Sequence, residues 1–237
     1  MSSIESIIDR QLRRWELEKK IRALETEEGR KARLKPIVTV SRLKGSGGTV
    51  IASRLAEKLH YQLLHREVID EICSSSGYRR QVIESLDDRI RSRIELWFEG
   101  IFKGSYIDAS DYLKQLYKVI MSIAEHGGVV VVGRGANFIL PREQVFSLRV
   151  TASKERRIEN LMHYLSLTHD QAEKEIRETD KARAEFIHSH FKRNIDDPLA
   201  YDLTIDTTFI EVEAAVNLAE AAIWAKWKKL GIVGPGH

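Results

Sequence analysis

A doubly wound, five-stranded parallel α/β sheet is the fold class this sequence predicts. Three observations carry the prediction. Short β-branched segments alternate with helical ones along most of the chain, the order that builds a parallel sheet covered on both faces. Gly128-Val129-Val130-Val131-Val132-Gly133 is a continuous apolar run between glycines, as a strand buried on both faces reads. A glycine-rich turn, Lys44-Gly45-Ser46-Gly47-Gly48-Thr49, separates the first strand of the sheet from its first helix. In such a sheet the ligand crevice lies at the carboxyl ends of the strands.

The elements follow in chain order. Residues 3–28 read as a helical arm: Ile4, Ile8, Leu12 and Trp15 recur at helical spacing, and Leu17, Ile21 and Leu24 continue on a shifted face. Gly29 stops the arm, and the basic tract at 30–33 leads to Pro36. Acids are mixed through its polar face. The arm is therefore expected to pack on its own domain or on a second subunit of a homodimer rather than on a membrane surface. The first strand is expected at 37–41, the helix after the turn at 47–59, a second strand at Tyr61–Leu64 and a helix from about Arg66. Residues 79–126 carry no strand signal and read as two helices, about 79–98 and 107–126, joined around Gly100 and Gly104. Further strands are expected at 128–133, 145–151 and 203–206. Ser153 is placed to cap one helix, and Thr168 with Gln171 forms a capping box opening another that runs to about Phe191. A last helix covers about 210–228, followed by a frayed tail. The expected organisation is an arm at 1–35 and a domain at 36–237, with a helical insert at 79–126 and a further helical region at 168–191.

Composition narrows the function. The 237 residues are 43% apolar and 31% charged, with a formal net charge of +3. That whole excess sits in residues 1–36, which hold ten Lys/Arg and seven Asp/Glu; the rest balances at 28 against 28. Charge thus argues against a nucleic-acid partner. The apolar runs are too short for a membrane span, and the first residues lack the apolar core of a signal peptide. A single cysteine, Cys73, excludes an internal disulfide and fits a reducing cytoplasm.

The chemistry starts at the turn. Against the phosphate-loop pattern G-x-x-x-x-G-K-[ST], Arg42 stands at the first glycine, Gly47 at the second and Gly48 at the lysine, while Thr49 keeps the hydroxyl. Gly45, Gly47 and Gly48 let backbone N–H groups approach phosphates, and Ser46 and Thr49 add hydroxyls. Thr49 is the natural contact for Mg2+. For the charge lost with the lysine, Arg42 and Lys44 are the local candidates, each a replacement or a surface charge. Arg134 follows the buried run at its carboxyl end, where a guanidinium can grip a monophosphate bidentately. Arg66 is a second anion contact or a surface ion pair. Asn137 reads a base edge or only shapes a turn. The eight histidines show no metal-ligand spacing.

Five segments in collinear order resemble the cytidylate kinase-like family of nucleoside monophosphate kinases over roughly residues 36–228. They are Val38–Gly48, His65-Arg66-Glu67-Val68-Ile69, Gly133-Arg134-Gly135-Ala136-Asn137, Glu178–Arg183 and Asp197–Thr207. That family's variant loop also carries glycine in place of the lysine. Gly135 replaces the acid that cytidylate kinases carry after the arginine, His65 replaces another acid, and Thr49 replaces an arginine. The resemblance implies ATP and Mg2+ as cofactors and a nucleoside monophosphate as acceptor. The residues at 45–49 with Arg177 would hold ATP, and Arg66, Arg134 and Asn137 the acceptor beside the insert. Residues 168–191 would form a lid whose Asp180 and Arg183 serve catalysis with Arg42 and Lys44. Arg156 and Arg157 start the preceding helix and add to the same positive field. Two rival readings share these residues: a nucleotide-binding protein without turnover, and a kinase of another small acceptor.

Overall fold

The computed structural model describes residues 3–23, 36–86, 88–103 and 111–231. Its strands are β1 (Ile37–Arg42), β2 (Gln62–Leu64), β3 (Val129–Val132), β4 (Val145–Thr151) and β5 (Leu203–Asp206). The helices are α1 (Ser3–Ala23), α2 (Gly48–Leu59), α3 (Arg66–Ser74), α4 (Ser76–Glu84), α5 (Asp88–Lys103), α6 (Asp111–His126), the single turn α7 (Ala136–Ile139), α8 (Lys154–Leu165), α9 (His169–Phe191) and α10 (Val212–Lys229). The five strands order as β2-β3-β1-β4-β5. β1 pairs in parallel with β3 and β4, and β4 with β5. The chain thus goes to one side of β1 for β2 and β3 and to the other for β4 and β5. The reversal falls at the carboxyl end of β1, where a doubly wound sheet binds its ligand.

The chain divides into two compact units, one of α1 with 64–128 and the other of 36–63 with 129–231. In the sheet unit, alternation along the strands puts Val38, Val40, Val130, Val132, Phe146, Leu148 and Val150 into one core with Ile51, Leu55 and Leu59 of α2 and Val216, Ile223 and Trp227 of α10. The spacing of 51, 55 and 59 is the i, i+4 stripe expected of a helix lying on a sheet. Lys58 ties α2 to α10 through Asn217 and Glu220. β1 alternates its other positions toward polar partners: Thr39 Oγ1 donates to Ser147 Oγ (3.2 Å).

In the helical unit, α1 buries Ile8, Leu12 and Trp15 and touches α3 and α4. The indole of Trp15 stacks on His126 of α6, centroids 4.5 Å apart and planes 7° from parallel. The arm therefore uses its first apolar stripe against helices of its own chain. The second stripe differs: Leu17 and Ile21 are exposed. Positions 24–28, Gly29, the basic tract, the joint at Gly104 and the tail after 231 lie outside the described residues.

One expectation needs correction. The stretch 79–98 is not one helix ending in a joint at Gly100, because α4 ends at Glu84 and α5 runs from Asp88 through Gly100 to Lys103. Ser85 explains the break. Its hydroxyl donates to the Val82 carbonyl (2.7 Å) and meets His126 Nε2 (2.8 Å), and a serine that bonds its own backbone competes with helix continuation. Periodicity alone cannot see that bond.

Candidate functional site

The loop between β1 and α2 is built from left-handed glycines. Gly45 and Gly47 have φ of 81° and 75°, a region that L side chains populate rarely. A Cβ on Gly45 would stand 2.7 Å from the Arg157 carbonyl oxygen, so α8 closes on the loop there. Gly47 is the N-cap of α2 and gives it no side-chain hydrogen bond. Among the described residues, the N–H groups of Gly47, Gly48, Thr49 and Val50 find no acceptor, whereas Ile51 N–H reaches the Gly47 carbonyl (3.0 Å). Orphan N–H groups at a helix start carry positive potential and suit an anion. The chain therefore fits a phosphate group at this point. Thr49 is exposed. The Ser46 hydroxyl faces inward instead, donating to the carbonyls of Leu43 (2.9 Å) and Val150 (3.2 Å). Its part in the loop is to hold shape.

Helices α8 and α9 grip the loop from outside. Asp180 accepts the Lys44 backbone N–H (2.8 Å) through one carboxylate oxygen and Arg157 Nη1 (2.5 Å) through the other. Arg183 stands 3.5 Å from Asp180 and donates to the Arg42 carbonyl (2.9 Å). The expected pairing of Asp180 with Arg183, one helical turn apart, is thus present. Asn160 Nδ2 donates to the Gly45 carbonyl (2.8 Å). Lys44 Nζ pairs with Glu175 (2.8 Å), and that hydrogen bond, with the ammonium's charge behind it, holds the Glu175 carboxyl below its usual range. Arg177 is exposed on the same helix, and its charge acts on Glu173. From the other side Thr207 Oγ1 donates to the Ser46 carbonyl (2.8 Å).

A second turn follows β3. Gly133, Arg134 and Gly135 are all left-handed, with φ of 86°, 55° and 64°. The Arg134 guanidinium lies over the Phe186 ring, 4.9 Å from its centroid. Phe186 meets the His190 and Phe191 rings, and Phe191 stacks on Phe138. Burial, and after it the Arg134 charge, push the His190 imidazole below its usual pKa. Gly135 has no room for a side chain, since a Cβ would run into the Phe191 ring and Ile187. Asn137 Nδ2 is buried without a hydrogen-bond partner among the described residues.

The structure thus brings Arg42, Lys44, Gly45, Asp180 and Arg183 together, and one helix, α9, touches both turns. Arg66 belongs to the helical unit, where it pairs with Glu67 (3.2 Å). Sequence reasoning missed Asn160, Glu175, Thr207 and Phe186. Five residues before Asp180, Glu175 lies off its i, i+3 and i, i+4 face, so all four are brought in by folding. It also missed Arg149, 3% exposed in its side chain, which joins Ser41 Oγ (2.7 Å) to Asp196 (2.6 Å) under Tyr201. Among the described residues no cluster of three or more His, Cys, Asp or Glu could hold a metal ion. No helix among them is long and apolar enough to cross a membrane.

Known proteins are similar to this chain. A cytidylate kinase from Methanocaldococcus jannaschii is 27% identical over 190 residues, covering 79% of this chain and 97% of its own. An uncharacterized protein from Eubacterium ventriosum superposes with a TM-score of 0.63 at 20% identity, over 81% of this chain and 99% of its own, and so shares the fold. A gluconokinase from Sinorhizobium meliloti gives a TM-score of 0.48 at 13% identity, over 84% of this chain and 97% of its own. Residues 37–209, from the first strand through the turn after β5, match the cytidylate kinase-like family. With a glycine phosphate loop, an arginine turn after β3 and a helix gripping both within that span, the chain belongs to the cytidylate kinase-like family.

Proposed function

We propose that this protein transfers the γ-phosphoryl group of ATP to a phosphate oxygen of a nucleoside monophosphate, releasing ADP and a nucleoside diphosphate. The observation that carries the reading is the row of N–H groups from Gly47 to Val50, which have no acceptor among the described residues at the carboxyl end of β1. ATP supplies the group to be transferred, and Mg2+ shields its charge. The chain supplies position and electrostatics, which is most of what phosphoryl transfer asks of a protein. The loop at 45–49 cradles the donor phosphates. Thr49 would hold Mg2+ through its hydroxyl, with no acidic cluster among the described residues to help. Asp180 orients Arg157 and Arg183 and fixes the loop backbone through Lys44. Arg134 grips the acceptor phosphate, and Asn137 offers its buried amide to the acceptor. Arg66 as a further acceptor contact is a proposal of the same kind, as is the exposed Arg177 for the donor.

The support is the family membership together with this geometry. The test is coupled ADP release with ATP and Mg2+ against a panel of nucleoside monophosphates. Turnover with one or more supports the reading. Measurable ATP binding with no turnover on any acceptor overturns it in favour of a nucleotide-binding protein. One observation favours a different small acceptor: the position corresponding to the acid of cytidylate kinases is Gly135, and its side-chain space is filled by Phe191 and Ile187. Turnover only with a non-nucleotide acceptor would establish that alternative.

A further inference from the structure

Two departures from the phosphate-loop pattern, Arg42 for the first glycine and Gly48 for the lysine, stand six residues apart in sequence. They meet in space. A Cβ built on Gly48 would stand 2.5 Å from the Arg42 Cβ and 3.1 Å from its Cγ. Real Cβ atoms do not approach that closely, and the atom in the way is the root of a side chain held at the end of β1, not a tip that can swing aside. Gly48 has an ordinary negative φ, since it is absent from the left-handed residues. Its backbone would therefore accept any side chain; the Arg42 stem forbids one. The other end of Arg42 reaches a second glycine. Its Nη1 lies 2.8 Å from where a Gly133 Cβ would stand. One arginine thus runs from the start of α2 to the turn that carries Arg134; its stem excludes a side chain at Gly48, while at Gly133 a φ of 86° already calls for glycine.

Arg42 and its cationic neighbours all have partners. Lys44 is turned to Glu175, Arg157 to Asp180, and Arg183 to Asp180 and the Arg42 carbonyl. We infer that Arg42 and Gly48 are an exchange pair: the positive charge of the missing loop lysine is delivered by Arg42 from the opposite side of the loop, with its head between the donor cradle and the Arg134 turn. The steric half of this inference is independent of function. The charge half rests on the kinase reading.

Four proteins test it: wild type, Arg42→Gly, Gly48→Lys and the double variant, with Gly48→Ala as a milder probe should Gly48→Lys not fold. The first readout is Tm without nucleotide. Gly48→Lys or Gly48→Ala alone lowers Tm, and adding Arg42→Gly recovers most of the loss, although the Val150 Cβ at 3.1 Å keeps the fit tight. Simple additivity of the two changes would overturn the shared space. The second readout is ATP affinity by calorimetry. Arg42→Gly weakens it by about tenfold to a hundredfold, as for loss of a charged hydrogen-bond donor, and the double variant regains most of that. Unchanged affinity in Arg42→Gly overturns the charge half. If the coupling in Tm and affinity holds but wild type phosphorylates no acceptor, the kinase reading falls and the exchange stands.

Discussion

Arg134 holds a left-handed backbone, which costs an L residue about 1 kcal/mol, between two glycines that pay almost nothing for it. Glycine there would be cheaper, so the side chain is what the position keeps. The face of its guanidinium rests on Phe186, and stacking by the face keeps the N–H donors in the plane of the group. Arg134→Ala should raise the acceptor KM at least about tenfold, since charged hydrogen bonds are lost, while ATP affinity stays within about twofold. Equal loss of both would place Arg134 elsewhere. Phe186→Leu should repeat the effect more weakly, by a few fold, consistent with a cation–π contact of about 1 kcal/mol. Phe186→Tyr should restore it in steady-state kinetics. A Phe186→Leu enzyme with an unchanged acceptor KM would show the ring to be only packing.

Among the elements, α9 carries the most. Its 23 residues start at a complete capping box, so its register is fixed at the N-terminus. From there Glu175, Asp180 and Arg183 fall on the phosphate loop and Phe186 and Ile187 on the arginine turn. Replacing Asp180 with Asn keeps the shape and removes the charge that both arginines and the Lys44 N–H face. Turnover should fall by about a hundredfold, the scale of losing a preorganised charge that orients catalytic groups, with a smaller loss of ATP affinity. An Asp180→Asn enzyme of full activity would show the clamp to be dispensable. The Lys44–Glu175 tether has a pH signature. Glu175 is held below its usual pKa in the folded protein. Its contribution to stability is therefore present above about pH 4.5, the unfolded value, and lost as pH falls through the lower folded value. The Tm difference between wild type and Glu175→Gln should be constant from pH 7 to about 5 and close below that. A gap that widened in acid would reverse the assignment.

At the scale of the whole molecule, the formal excess charge lies in residues 1–36, and α1 within them is anchored by burial rather than by charge. Trp15 is 1% exposed against His126. Trp15→Ala should cost about 3–5 kcal/mol in the helical unit, the usual loss for a fully buried tryptophan. Chemical denaturation reads the loss, and hydrogen exchange should rise first in α3, α4 and α6. A loss below about 1 kcal/mol would mean that the arm contributes little to its unit.

The strands and helices of the sheet unit were legible because they repeat at fixed periods. Val145–Thr151, the Ser153 cap, the Thr168 box and Leu203–Asp206 appear in the structure where the sequence places them. The break at Ser85 was not legible, since it depends on one hydroxyl bonding a carbonyl three residues back and a histidine 41 residues on. The site divided in the same way. Glycine spacing, the lone arginine after β3 and the Asp180–Arg183 turn are local patterns. Asn160, Thr207 and Phe186 are ordinary residues in their own segments and reach the site only across contacts of 52 to 161 residues.

By itself the sequence determined the fold class, the phosphate loop and the family, because alternation, capping and glycine turns act within a few residues. It also posed the puzzle of the lost lysine, with Arg42, Lys44 and the lid as candidate replacements and Lys44 as readily a surface charge. Only the tertiary structure shows where each of these side chains goes. It turned Lys44 to Glu175 and laid the Arg42 stem across Gly48. Two atoms cannot share one volume, and which residues compete for it is settled by where strands, loop and helix meet.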